Sequence, residues 1–227
     1  MTTILAIETS TEMASIALLG KGGLTIRELS GVQSHSQGIL PLIQDILNEA
    51  GITLKQCDAI AYGCGPGAFT GVRTACGIVQ GLAFGADLPI LPIISLRAMA
   101  HAAHDPQTEQ DLVCVLDARM GEVYWAHYHY QNKVWTQIAE PALSMSEQVV
   151  SYANLHRFSL VLGNGVPLND VVSLKIVNKM PHAEQIAKLA LIDFLAGKQL
   201  AAAQAQPLYL RNKIALTTAE RALVKNR

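Results

Sequence analysis

Nine residues, Gly65-Pro66-Gly67-Ala68-Phe69-Thr70-Gly71-Val72-Arg73, constrain the fold more than any other part of the chain. Three glycines, a proline and a hydroxyl stand directly before a helical pattern, so the chain must turn sharply out of a strand and into a helix. Glycine serves where a backbone takes positive φ or lies close against another group, and Pro66 stiffens the turn. Thr70 reads as the N-cap of the helix. Such a run aims backbone N–H groups at whatever sits over the helix start, which is how proteins hold phosphate or carboxylate groups. A well-made strand-to-helix turn accounts for the same residues. Gly65, Gly67, Thr70 and Gly71 are therefore candidates for a phosphate or nucleotide loop, with the plain turn as the alternative.

The first thirty residues read as hairpin elements: strands at 4–7, 14–19 and 24–29, with a turn at Gly20-Lys21-Gly22-Gly23. Glu8-Thr9-Ser10-Thr11 joins the first two strands. An acid at a strand end, followed by small hydroxyl residues and an antiparallel return, resembles the phosphate hairpin of the actin, hexokinase and Hsp70 superfamily. That resemblance adds Glu8, Thr9 and Ser10 to the candidate phosphate loops. Residues 34–50 follow as an amphipathic helix with Ile39, Leu42, Ile43, Ile46, Leu47 and Ala50 at helical spacing, and Leu40 widens the stripe. A wide stripe implies two buried faces, one of them against something outside the helix's own sheet. A buried strand at 59–62 leads through the glycine run to a second helix at 70–86. This helix carries Gly71, Ala75, Gly77, Gly81, Ala83 and Gly85, and each glycine costs about 1 kcal/mol relative to alanine. Close packing against neighbouring helices is the expected compensation.

Half of the 227 residues are hydrophobic, 5% are aromatic and 15% are charged, against about 25% charged in an average soluble domain. The apolar surplus implies surface covered by another subunit, with tight packing of alanine and glycine as the alternative. No membrane span is expected: the longest weakly charged run, 74–96, is broken by Gly77, Gly81, Gly85, Pro89 and Pro92. No basic, apolar leader precedes the first strand, so no signal peptide is expected and a cytoplasmic location is. Cys57, Cys64, Cys76 and Cys114 show neither paired nor metal-ligand spacing and read as reduced, buried thiols. The net charge of −1 argues against nucleic-acid binding by charge alone. One local exception is the C-terminal segment, where Arg211, Lys213, Arg221, Lys225 and Arg227 face Glu220 as the only acid.

The polar stretch 105–111 reads as a lobe boundary, giving an N-terminal lobe over 1–104 and a C-terminal lobe over 105–227, with the last helix packing back on the first lobe. Strands are expected at 112–116, 121–130, 133–139 and 160–162, helices at 96–104, 146–155 and 182–205 with a break near Gly197, and a tight loop at Gly163-Asn164-Gly165. Two strand-rich openings, each followed by helices, indicate a duplicated α/β unit.

Five segments together carry a family resemblance: residues 4–10, His35-Ser36-Gln37, the glycine run 65–73, Asp117-Ala118-Arg119-Met120-Gly121-Glu122-Val123-Tyr124, and Pro207-Leu208-Tyr209-Leu210-Arg211. They closely resemble the TsaB (YeaZ) family of the bacterial threonylcarbamoyladenosine tRNA modification pathway. The resemblance implies an α/β, two-lobed actin-like ATPase (ASKHA, ribonuclease H-like) fold with duplicated mixed-sheet lobes. It also implies a non-catalytic subunit that pairs with TsaD, the enzyme that transfers a threonylcarbamoyl group to N6 of adenosine 37 of tRNAs reading ANN codons. TsaE, a small ATPase, joins the pair; the subunit forms a homodimer when alone, meets tRNA through the complex and does not engage membranes. No cofactor is implied, with nucleotide at the partner junction left open. The pairing surface would be the helices 34–50 and 70–86, with Ile39, Leu42, Ile43, Ile46, Val72, Ala75, Ile78, Val79 and Leu82 among the contacts and Ile46→Asp or Ala75→Arg expected to abolish pairing without unfolding the chain.

TsaD-type enzymes carry a His-x-x-x-His metal motif whose positions fall near Ser95 and Met99 here, a pair unsuited to replace two imidazoles. His101 and His104 nearby would be a shifted pair but show no carboxylate partner, so no metal is expected. An active ATP-dependent phosphotransferase of the same superfamily, or a metallopeptidase-like protein, are the rival readings; no catalytic base and no His-Glu-x-x-His motif supports either.

Overall fold

The computed structural model describes residues 2–30, 35–103, 105–158, 160–166 and 175–211. His104 and the basic residues beyond Arg211 lie outside them. Two five-stranded sheets form the frame. In the first, β1 (Ile4–Glu8), β2 (Met13–Gly20), β3 (Gly23–Ser30), β4 (Ala59–Gly65) and β5 (Ile90–Ile94) lie in the order β3-β2-β1-β4-β5. The hairpin strands pair antiparallel, and β1, β4 and β5 run parallel. In the second, β6 (Gln110–Arg119), β7 (Glu122–Gln131), β8 (Val134–Met145), β9 (Leu160–Gly163) and β10 (Lys175–Val177) lie in the order β10-β9-β6-β7-β8. Counted from its own first strand, each sheet has the order 3-2-1-4-5, with matching strand directions. The α/β unit is therefore duplicated, although only the topology repeats visibly. Two features of the second sheet exceed the expectation: β8 runs on to Met145, and β10 is too short to leave a periodic signal.

Alternation along β1 explains the layering. Leu5 and Ile7 point to one face of the first sheet, where α1 (His35–Glu49) and α2 (Phe69–Ala86) contribute Ile39, Ile43, Ile46, Ala75 and Val79. Ile4 and Ala6 point to the other, where α5 (Ala183–Leu195) lays Ala183, Ile186, Ala187 and Ala190 against Ala59 and Ala61. Small residues on both sides let this helix approach closely. The second sheet is covered by α3 (Ser95–Ala103), through Leu96, Met99 and Ala100, and by α4 (Ser146–Leu155), through Val149, Val150 and Ala153.

The two sheets thus exchange helices. α3 precedes the polar boundary in sequence yet packs on the second sheet, and α5 follows it yet packs on the first, so the cores do not follow the cut at 104/105. An ion pair ties the exchanged helices: Arg97 Nη1 lies 2.6 Å from Asp193 Oδ2, and Lys198 Nζ lies 3.0 Å from Asp193 Oδ1. Burial works against the Asp193 carboxylate, but these cations outweigh it and hold its pKa below the usual range.

The expected helix 182–205 ends at Leu195. Gly197 takes φ +71°, and Leu200 then exchanges two 2.9 Å backbone hydrogen bonds with Ile90. From there the chain crosses the first sheet. Tyr62 Oη bonds the Gln206 backbone at 3.1 Å, and Leu208 N donates to Cys64 O at 2.7 Å. It reaches the second lobe at Arg211, whose Nη2 donates to Ala118 O at 3.0 Å and lies 2.6 Å from Glu122 Oε2. Residues 206–211 therefore strap the two lobes together.

Candidate functional site

A cleft of about 1190 Å³ opens between the lobes. Its first wall is built where the turn after β1 meets the glycine run. Glu8, Thr9 and Ser10 are all buried, and they press against that run closely enough to dictate its glycines. A Cβ on Gly63 would sit 1.9 Å from Glu8 Oε2, one on Gly67 2.5 Å from Ser10 Cβ, and one on Gly71 1.9 Å from Thr9 O. Ala68 N donates to Ser10 O at 2.7 Å, and Thr9 Oγ1 donates to Gly71 O at 2.7 Å. Chain-to-chain contact thus requires Gly63, Gly67 and Gly71, while Gly65 takes φ +104°.

Thr70 is not the helix cap. α2 begins at Phe69 with Ala68 as its N-cap, and Thr70 is exposed, its carbonyl accepting from Thr74 Oγ1 at 2.9 Å. The hairpin turn has replaced a local cap by holding Ala68 from outside.

Glu8 closes off its own carboxylate. Oε1 accepts from Ser10 N at 2.6 Å and Oε2 from Ser95 Oγ at 3.2 Å, with no exposed surface. Burial raises its pKa, and the Ser10 and Ser95 hydrogen bonds recover only part of that rise. Cys64 beside it is pushed up to about 12, by burial first and the Glu8 charge second, so it is a protonated core thiol. All four cysteines are buried and unpaired by disulfides. Ser95 and Met99 are fully buried, and Met99 packs in the second core. His101 lies against Trp135 with ring centroids 5.9 Å apart. Among the described residues no three His, Cys, Asp or Glu side chains are grouped to hold a metal, and no helix is long and apolar enough to cross a membrane.

The opposite wall is the end of β6 and the loop after β9. Asn164 Oδ1 accepts from Asp117 N at 2.8 Å, and Gly165, at φ +86°, lies so close that a Cβ would meet Asp117 Cα at 2.7 Å. The loop 163–165 thereby clamps the β6 end. Asp117 accepts from Arg119 N at 2.8 Å and pairs with Arg119 Nη1 at 3.1 Å. At the mouth, the Arg73 guanidinium carbon lies 3.2 Å from the Phe69 ring centroid and 4.8 Å from that of Tyr209. Both rings belonged to recognised segments, but only the folded chain brings them together.

The nine residues expected on the pairing surface divide in two. Ile39, Ile43, Ile46, Val72, Ala75 and Val79 are buried in the chain's own core; only Leu42, Ile78 and Leu82 are part-exposed. Ile46→Asp and Ala75→Arg would therefore strike the core, contrary to the expectation that they spare the fold. The outer face of the helix pair carries Leu40 (49% exposed), the residue that widened the expected stripe, and Phe84 (81% exposed), which helical spacing did not single out. Gly77, Gly81 and Gly85 run along that face, and a Cβ on any of them would meet nothing within 4 Å. Their small size answers to no neighbour within the described chain, unlike Gly71 in the same helix. A groove of about 440 Å³ lies beside them, between Gly81, Leu82 and Gly85 on one side and Thr53, Leu54 and Lys55 on the other.

Residues 25–220 match the family model of TsaD, tRNA N6-adenosine threonylcarbamoyltransferase. The chain is 37% identical over 225 residues to the tRNA threonylcarbamoyladenosine biosynthesis protein TsaB of Haemophilus influenzae, covering 93% of this chain and 94% of that one. It is 38% identical over 226 residues to the protein of the same name from Escherichia coli, covering 93% and 96%. Among solved structures, YeaZ from Pseudomonas aeruginosa superposes with a TM-score of 0.80 at 38% identity, covering 92% of this chain and 100% of that one. A Pseudomonas aeruginosa protein described as similar to peptidase YEAZ gives 0.82 at 38%, covering 93% and 100%. The two YeaZ-type structures share the α/β, two-lobed architecture with duplicated mixed sheets.

Proposed function

Because the chain belongs to the TsaB family of tRNA threonylcarbamoyladenosine biosynthesis proteins, matched by the TsaD family model, we propose that it serves that pathway as a non-catalytic partner of TsaD. The observation that carries this reading is the outer face of α1 and α2. Phe84 stands exposed beside three glycines whose Cβ positions are empty, with part-exposed Leu42, Ile78 and Leu82 on the same helices. Burying a phenylalanine of this kind against a partner contributes about 1.5–3 kcal/mol, and the glycines admit a partner backbone at close range. Without TsaD the same face would support a homodimer. TsaE would join the pair, tRNA would be met through the complex, and the setting would be the cytoplasm.

The cleft supports the non-catalytic part of the reading. A carboxylate that polarises a nucleophile or holds a metal must face the reacting atoms. Glu8 is sealed behind Ser10, Ser95 and Gly63, and the neutral form favoured by burial is a poor base. Asp117 is already engaged by Arg119. A nucleotide, if used, would sit at the partner junction.

The test is light scattering on size-exclusion fractions of this chain alone and mixed with TsaD, with tRNA modification assayed on the same fractions. A complex required for modification is expected, and Phe84→Asp should abolish it while leaving the melting temperature unchanged. Full pairing by a folded Phe84→Asp variant would place the contact elsewhere; ATP turnover by the lone chain would overturn the non-catalytic assignment.

A further inference from the structure

We propose that His127, Asp111, His129 and Tyr152 form a pH-sensitive latch that fastens the C-terminal turn of α4 to the second sheet, closed in neutral solution and released when His127 takes up a proton in mildly acid solution. The cluster lies toward the start of β6, away from the cleft-lining Asp117 near its end, and the pairing reading uses none of it.

Alternation along β6 and β7 sends Asp111, His127 and His129 to the face that α4 covers, the face of Val113 and Val123. His127 is 3% exposed, yet both of its ring nitrogens are engaged. Nε2 lies 2.8 Å from Asp111 Oδ1 on β6, and Nδ1 lies 3.0 Å from Tyr152 Oη on α4. A carboxylate only accepts, so Nε2 carries the proton and Nδ1 receives the Tyr152 hydroxyl. The neutral ring thus joins strand to helix. An imidazolium donates at both nitrogens, which takes away the acceptor that Tyr152 uses. Tyr152 also stacks on Trp125 at 4.8 Å and on His156 at 4.3 Å between ring centroids, so it anchors the whole last turn. At its other end α4 starts where Ser146 N donates to Gly121 O at 2.9 Å, in the turn that follows the cleft residues Arg119 and Met120. The helix therefore joins this cluster to the cleft wall.

The Asp111 oxygen is shared. His129 Nδ1 stands 3.0 Å from the same Oδ1 and its Nε2 3.5 Å from Glu109 Oε1, so a proton taken up by the His129 ring meets a carboxylate on either side. A positive ring at His127 finds that oxygen already engaged and faces His156, at the end of α4, with ring centroids 6.4 Å apart. Its other neighbours carry no charge: the Phe158 ring centroid lies 4.8 Å away, and Ala139 is its partner on β8. Burial accordingly holds His127 below the ordinary histidine range, against the pull of the Asp111 hydrogen bond. Burial also works against the Asp111 carboxylate, but the hydrogen bonds from His127 and His129 outweigh it and keep that group ionised. A ring that stays neutral while the helix is docked, and takes up a proton once released, weakens the docked state as pH falls through the ordinary histidine range.

The test is hydrogen–deuterium exchange of the full chain at about pH 7.5 and about pH 5.5, corrected for the intrinsic effect of pH on exchange. Peptides over 146–158 should lose protection about ten-fold in acid, the gain in opening for a ring of pKa about 6.5 when free and neutral when docked. Peptides over β4, in the other sheet, should not change. His127→Gln keeps a donor and an acceptor but cannot titrate, so its α4 should be protected equally at both values. Tyr152→Phe removes the hydroxyl and should leave α4 less protected in neutral solution. Ring-nitrogen NMR of the wild-type chain gives a readout that needs no variant. His127 should show the Nε2–H tautomer at neutral pH and gain its second proton only as α4 loses protection. A His127 ring that protonates while α4 stays protected overturns the proposal, as does a pH response of α4 that survives in folded His127→Gln or is missing from the wild-type chain.

Discussion

The first strand of each lobe ends near an acid, and the two acids have opposite surroundings. Glu8, at the end of β1, is fully enclosed and hydrogen-bonded to Ser10 and Ser95. Asp117, near the end of the topologically equivalent β6, is about one third exposed and paired with Arg119. The sheets share strand order and direction, so the difference comes from what is laid over them. In the first lobe the glycine run lets the β1–β2 turn collapse onto α2. In the second, the loop 163–165 clamps the β6 backbone and leaves the carboxylate at the cleft. Topology carries the position of an acid from one lobe to the other; packing decides whether it can meet a ligand.

The same contrast separates the inner and outer faces of α1, and the largest expected effect tests it. Ile46→Asp buries a charge with no partner and should cost about 4 kcal/mol or more, whereas Leu40→Asp, on the outer face, should change stability by less than about 0.5 kcal/mol. Urea denaturation of both variants measures this, and equal losses would mean that both faces are core. Next is the glycine contact that seats the β1–β2 turn on α2. Gly71→Ala drives a methyl into Thr9 O and should cost about 1–3 kcal/mol, and a thermal midpoint unchanged from wild type would show that the turn yields freely.

The exchange of α3 and α5 comes third. Arg97→Ala leaves Asp193 buried with only Lys198 and should cost about 2 kcal/mol, seen as faster amide exchange in α3 and α5 together. Exchange confined to one helix would deny that the pair couples the lobes. Glu8 provides a fourth, sign-based test. Because the folded-state pKa of Glu8 is raised, the folded protein holds a proton that the unfolded chain releases. Its contribution is complete below the ordinary carboxylate range and is lost as pH rises through the folded-state pKa. Glu8→Gln should therefore raise the melting temperature by a margin that grows from mildly acidic to mildly alkaline buffer. A margin that shrinks with pH would show Glu8 to be ionised in place. The smallest effect belongs to the outer glycines. Gly81→Ala fills empty space in a helix and should stabilise the isolated chain by about 0.5–1 kcal/mol, yet weaken any pairing that needs a close backbone approach. Destabilisation of the isolated chain would mean that this glycine already serves an internal contact.

Much of the fold could be read locally. Apart from β4, which runs three residues past its expected end to Gly65, the strands of the first sheet and the helices α1, α2 and α4 start and stop within a residue or two of where hydrophobic period, glycine and proline place them, because those signals act over one or two turns of chain. The candidate loops were legible as motifs, but their roles were not. Thr70 has the composition of a cap and loses that place to Ala68, held by a Ser10 carbonyl nearly sixty residues earlier in the chain. Gly71 and Gly81 look alike within one helix, yet one is pressed against Thr9 and the other faces empty space. Apolar spacing marked Ile39, Ile46 and Val79 without saying which face they serve, since a helical stripe records amphipathicity and not the identity of what covers it.

The sequence by itself determined the elements, the duplicated unit, the sharp turn at 65–73 and the family. Only the tertiary structure decided that Glu8 is sealed, that α3 packs on the second sheet, that Phe69, Arg73 and Tyr209 meet, and that Phe84 is left uncovered. The reason is physical: backbone conformation and periodicity are set by neighbours a few residues away, whereas burial, ionisation and exposure depend on contacts between segments tens of residues or more apart, which no local pattern encodes.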